Sequence, residues 1–194
     1  MLKIISAKTV GTALRFKHRY FSRPPSINIL EHLAQAKRVL VFMPSKIDQF
    51  AAALKSLETL RRIRPEWKIT AVTRLDMVSL LEDKLKVEIL PYSKADINVL
   101  GLPKPSMRAL FQKAPFDLAL DLKMQFDLMT VVIFQLSRAP LRVCFDTREK
   151  SPFYNLGIRV NSADPLAHKY ETMVKYVTLT RGKPRRKKSL QSAN

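Results

Sequence analysis

Few architectures can accommodate the stretch from Lys37 to Thr73. Val39, Leu40, Val41, Phe42 and Met43 form an unbroken apolar run, which suits a parallel strand covered on both faces. Ile47, Phe50, Ala51, Leu54, Leu57 and Leu60 then recur at three- and four-residue steps, so a helix through them carries one apolar stripe to lay on the sheet. Glu58 and Arg62 fall four apart on the other side as a solvent-face pair. Pro65 ends the helix and Lys68 to Thr73 begins a second strand. Strand, helix, strand is a β-α-β unit, and the expected fold is α/β: one Rossmann-like domain with a mainly parallel sheet flanked by helices.

The rest of the chain extends that unit. Ile27 to Gln35 reads as a short lead-in helix, Arg74 to Asp83 as a short helix with Met77, Leu80 and Leu81 inward, and Val87 to Leu90 as a third strand. Pro91 to Pro105 is rich in turn residues, and Ser106 to Lys113 resumes as helix. In Phe116 to Leu122, alternation places Phe116, Leu118, Leu120 and Leu122 on one face and Asp117 and Asp121 on the other. Phe126 to Leu136 reads as an apolar helix, Arg142 to Phe145 as a strand, and His168 to Arg181 as a helix with Tyr170, Met173, Val174 and Val177 in its stripe.

Composition removes several function classes. The 194 residues, 46% hydrophobic, fit one globular core. With 4 glycines and no GxGxxG or GxxxxGK, neither usual phosphate loop is present, and no cofactor is expected. Cys144 has no partner for a disulfide and sits in an apolar run, which reads as a small core residue. His18, His32 and His168 show no metal-ligand spacing, and Asp117, Asp121 and Asp127 are spaced as strand and helix starts rather than as a metal cluster.

The formal charge is +19, and its distribution matters more than its size. Residues 1–38 carry eight basic side chains against Glu31, and residues 181–194 carry six with no acid. In the first stretch Lys3, Lys8, Arg15, Lys17 and Arg19 are interleaved with apolar residues. That pattern fits an arm on anionic lipid, a mitochondrial presequence in a eukaryotic source, or an ordinary basic helix packed on the domain. Arg185, Arg186, Lys187 and Lys188 form a polybasic tail with no core residues around them. The expected division is an arm and lead-in helix over 1–36, the domain over 37–182 and a disordered tail over 183–194.

Three ordered stretches carry a resemblance to a known family. Pro44, Ser45, Lys46, Ile47, Asp48 and Gln49 follow the first strand, and Arg61 to Pro65 closes the helix. Phe116 to Leu122 and Arg142 to Phe145 follow, and His168 opens the last helix. This order resembles the acceptor domain of the family 9 glycosyltransferases, the heptosyltransferases that build lipopolysaccharide core, over residues 37 to 182. Members carry a Gly-Asp pair in the first loop whose Asp is catalytic; here Asp48 stands in the Gly place and Gln49 in the Asp place.

The resemblance implies an acceptor domain without its donor half, not active alone. An amide does not titrate usefully, so Gln49 cannot serve as the base, and Asp48 is the substitute if the loop is rearranged. Ser45, Lys46 and Asp121 are the expected acceptor contacts, with Lys46 on an acceptor phosphate. The implied partners are an anionic glycolipid acceptor and a separate donor-domain chain, in the cytoplasm or peripherally on the inner membrane. The alternative is a non-enzymatic basic module on anionic glycolipid or membrane. Nucleic-acid binding ranks last, because nothing but pI ≈ 10.4 supports it.

Overall fold

The computed structural model describes residues 27–82, 85–112 and 115–179. Six strands, β1 (Arg38–Phe42), β2 (Lys68–Arg74), β3 (Glu88–Tyr92), β4 (Leu118–Asp121), β5 (Leu141–Phe145) and β6 (Leu156–Ile158), form one sheet. Its order is β3-β2-β1-β4-β5-β6, and every pairing is parallel. Among the described residues six helices flank it: α1 (Ile29–Gln35), α2 (Ile47–Ile63), α3 (Val78–Glu82), α4 (Pro105–Gln112), α5 (Leu128–Leu136) and α6 (Leu166–Val177).

Alternation along the strands divides the core in two. Val39 and Val41 of β1, with Leu118, Leu120, Leu141 and Val143, pack under Leu33, Phe50, Leu57, Leu60, Tyr170 and Met173 of α1, α2 and α6. Leu40 and Phe42, with Val72 and Ala119, pack under Met107, Phe111, Ile133 and Phe134 of α4 and α5. A sheet covered on both faces needs apolar side chains at successive positions, which is why the unbroken run of β1 forms its centre.

Several sequence expectations are corrected. Ile47 is 62% exposed instead of joining the stripe of α2, because the first helical residue lies at the open end of the sheet. Leu80 is likewise exposed while Leu81 carries the burial of α3. Phe116 packs against the α4/α5 cluster, opposite Leu118 and Leu120, because β4 begins only at Leu118 and alternation does not govern the residues before it. Asp117 turns back and accepts from Lys37 N at 2.9 Å and Arg38 N at 2.7 Å, tying β4 to the start of β1. The edge strand β6 was not anticipated.

Candidate functional site

In an open parallel sheet, the loops leaving the carboxyl ends of the strands converge where strand order reverses, here between β1 and β4. A cleft of about 870 Å³ occupies that place. Pro44, Ser45, Lys46 and Gln49 follow β1, Arg74, Leu75 and Asp76 close β2, Tyr92 to Ala95 and Ile97 follow β3, and Lys123, Gln125, Phe126, Asp127 and Met129 follow β4.

The wall on the β1 side is the amino end of α2. Phe50 N–H donates to Lys46 O at 2.8 Å, the first bond of the helix. The N–H groups of Ile47, Asp48 and Gln49 therefore have no carbonyl within the helix. Lys46, the cap, supplies no side-chain acceptor. Gln49 occupies the third position, from which a glutamine commonly reaches back to the cap N–H. Here it makes no hydrogen bond to any described residue, although it is only 6% exposed.

The opposite wall is polar and largely pre-ordered. Lys123 Nζ lies 4.2 Å from the ring centroid of Phe42 and 5.7 Å from that of Tyr92, a cation over two aromatic faces. It also meets Asp127 Oδ2 at 2.5 Å, and Thr130 Oγ1 donates to the same oxygen at 2.6 Å. Burial pushes the Asp127 carboxyl up, but the Lys123 charge and the donated hydrogen bonds outweigh it and hold the group below the usual range. Burial likewise lowers Lys123, and Asp127 more than reverses it. Arg74 is paired with Asp76. Lys46, Arg74, Lys94 and Lys123 against Asp76 and Asp127 leave the lining at a formal +2.

Beneath this wall lies a second, buried cluster. Asp121, fully buried at the end of β4, accepts from Lys123 N–H at 3.0 Å and Tyr154 Oη at 2.8 Å. Lys150 Nζ reaches the same carboxylate and the carbonyl of Lys123. Burial, then the Asp121 charge, pushes the Tyr154 hydroxyl well above its ordinary range, so it stays protonated and donating.

The structure brings Ser45, Lys46 and Gln49 to the cleft and leaves Asp48 exposed outside its lining. Asp121 lies under the wall, in contact with Lys123, Tyr154 and Lys150. Lys3, Lys8, Arg15, Lys17, Arg19, Arg185, Arg186, Lys187 and Lys188 lie outside the described residues. Sequence reasoning missed Arg74, Lys94 and Lys123 as wall residues; each ends a strand or follows one by two positions, which is the signal that would have found them. Among the described residues, no group of three or more His, Cys, Asp or Glu could hold a metal, and no helix is long and apolar enough to cross a membrane.

A six-stranded parallel sheet with helices on both faces and a cleft at its switch point defines a Rossmann-like α/β domain. The solved structure of E. coli heptosyltransferase WaaC with ADP has this fold, with a TM-score of 0.58 at 16% sequence identity. The match covers 76% of this chain and 48% of that one, so this chain spans about half the length of its structural relative. Residues 18–179 match the model of a family of unknown function, DUF6913, and the chain belongs to that family. No curated protein is matched.

Proposed function

We propose that this protein is an acceptor-binding module of the glycosyltransferase type, which receives an anionic glycan or glycolipid of the cell envelope and does not transfer sugar on its own. The observation that carries the reading is Gln49. It lines the cleft at the head of α2, where the family 9 pattern has its catalytic carboxylate, and an amide cannot take a proton from an acceptor hydroxyl. Asp48 is turned out of the lining, and of the two carboxylates that do line the cleft, Asp76 is paired with Arg74 and Asp127 is held ionised by Lys123. A carboxylate with a depressed pKa is a weak base. Ser45 and Lys46 contact the acceptor; Asp121 supports that contact through the Lys123 backbone.

Transfer, where it occurs, draws its donor site from outside these residues, for example from a donor-domain protein. The test is labelled sugar transfer from ADP-heptose to a core lipid acceptor, with the purified protein alone and with a donor-domain protein added, beside acceptor binding measured directly. Binding without transfer by the protein alone supports the reading. Turnover by the protein alone, or no acceptor binding, overturns it.

A second reading draws on the charge at the two ends, where fourteen basic residues stand against one acid. Each Lys or Arg near an acidic bilayer contributes about 1 kcal/mol, so these segments would hold the domain on an anionic membrane. Salt-reversible pelleting with acidic liposomes tests it, and pelleting unaffected by salt counts against it.

A further inference from the structure

We infer that the amino end of α2 is the seat of a phosphate-type oxyanion, with Gln49 as its buried neutral donor and the organic part of a phosphate ester lying along the cleft. The inference rests on reading this cleft as a binding site, and on nothing about sugar transfer.

Two independent observations meet at this point. The first is the uncapped helix. Three backbone N–H groups, those of Ile47, Asp48 and Gln49, have no helical acceptor, and α2 is 17 residues long, so they carry the positive end of a full macrodipole. Caps normally quench such an end with a side-chain oxygen, whereas Lys46 adds a cation. The second is Gln49 itself. It is 94% buried, lines the cleft and makes no hydrogen bond to a described residue. Only Arg64, Trp67 and Thr73 hold fully buried side-chain polar atoms without a partner among the described residues, so the little surface Gln49 keeps includes its amide, which is free to donate to a ligand oxygen in the cleft.

The ligand's chemistry follows from what surrounds these donors. Lys46 and Lys94 line the cleft and form no ion pair with a described carboxylate. Lys123 has three N–H donors, and Asp127 takes one of them. Amide and backbone N–H donors at the head of α2, with ammonium groups elsewhere on the cleft lining, suit a group with several acceptor oxygens and more than one negative charge. A carboxylate at position 49 would repel such a group; an amide donates to it. Leu75, Tyr92, Phe126 and Met129 line the same cleft, so the ester's carbon skeleton has an apolar wall to lie on.

The experiment uses the full chain. It is titrated with inorganic phosphate, with a hexose 1-phosphate, and with phosphatidate vesicles against phosphatidylcholine vesicles, by calorimetry and by the NMR shift of the Gln49 side-chain amide. Gln49→Glu should weaken binding by about tenfold or more and Lys46→Ala by several-fold. Lys55→Ala, in the groove between α2 and α6, should leave it unchanged. Binding of the hexose phosphate supports a soluble ester. Binding confined to phosphatidate vesicles, and still lost in Gln49→Glu, supports a lipid headgroup.

Equal affinity in wild type, Gln49→Glu and Lys46→Ala overturns the inference. So does binding that disappears when Arg185, Arg186, Lys187 and Lys188 are replaced by serine while the Gln49 amide never shifts. Should Gln49→Glu fail to fold, the exposed Lys46 decides alone. Loss of glycan binding together with Gln49-dependent phosphate binding would remove the acceptor reading and leave this one standing.

Discussion

Lys150 Nζ lies 2.8 Å from Asp121 Oδ2, and neither side chain exposes any surface. An ion pair this deep survives because every neighbouring polar group contributes. Tyr154 Oη and Lys123 N–H also donate to Asp121, and Lys150 donates to the carbonyl of Lys123. The loop after β5 is thereby fastened to the end of β4 and to the residue that forms the cleft wall. Both charges must be removed together to be removed cheaply.

Lys150→Ala should therefore destabilise the domain by about 3–5 kcal/mol, because it strands a buried carboxylate. Asp121→Asn with Lys150→Met should cost less than Lys150→Ala, as no unpaired charge remains. Urea unfolding of the variants checks this, and a double variant weaker than the single one would show that the pair stabilises beyond its own neutralisation.

At high pH the buried thiol and phenols govern stability. Burial pushes Cys144 from 9.0 to about 12, and Tyr154 and Tyr170 are raised from 10.0 by burial and by Asp121. Each folded group holds its proton more tightly than the unfolded one, so its contribution is complete below the unfolded pKa and lost as pH rises through the folded value. The urea midpoint should be flat to about pH 8.5 and fall between 9 and 12. Cys144→Ala should remove the part that begins near 9 and leave the tyrosine part. Native Cys144 should resist iodoacetamide at pH 8 and react once unfolded.

A residue past the end of α5 is strained. Arg138 has φ 56°, is exposed, and donates its N–H to Gln135 O at 3.3 Å. This is the left-handed residue that commonly ends a helix, and glycine is its usual occupant because no Cβ meets the preceding turn. Arg138→Gly should stabilise the domain by about 0.5–1 kcal/mol, read as a rise in the thermal midpoint.

How far this fold could be read from sequence depended on which residues carried their own signal. The β1–α2–β2 unit was legible because an unbroken apolar run and a helical stripe each identify an element without its neighbours. β6 was not, since Leu156-Gly157-Ile158 is three residues on a sheet edge with only Ile158 buried. The cleft was half legible. Ser45, Lys46 and Gln49 lie within five residues of one another after β1, whereas Arg74, Lys94 and Lys123 end or follow three different strands and meet only through the order β3-β2-β1-β4. The buried Lys150 resembled any surface lysine, because nothing near it in the chain announces the Asp121 that holds it.

The Lys123–Asp127 pair sets both the charge of the cleft and part of its acid stability, so Asp127→Asn separates the two. With the carboxyl held below its ordinary value, its contribution is present above the unfolded pKa of about 3.9 and is lost as pH falls through the lower folded value. The wild-type urea midpoint should drop as pH falls below about 4, and Asp127→Asn should flatten part of that drop. At neutral pH the variant should be less stable by about 1–3 kcal/mol, the worth of hydrogen bonds to a charged group. It also takes the lining from a formal +2 to +3 and frees the Lys123 ammonium. A phosphate ester should accordingly bind it several-fold more tightly than wild type at low salt, with the gain shrinking as ionic strength rises. Unchanged affinity would mean that Lys123 serves the wall alone and that the oxyanion is held by α2, Lys46 and Lys94.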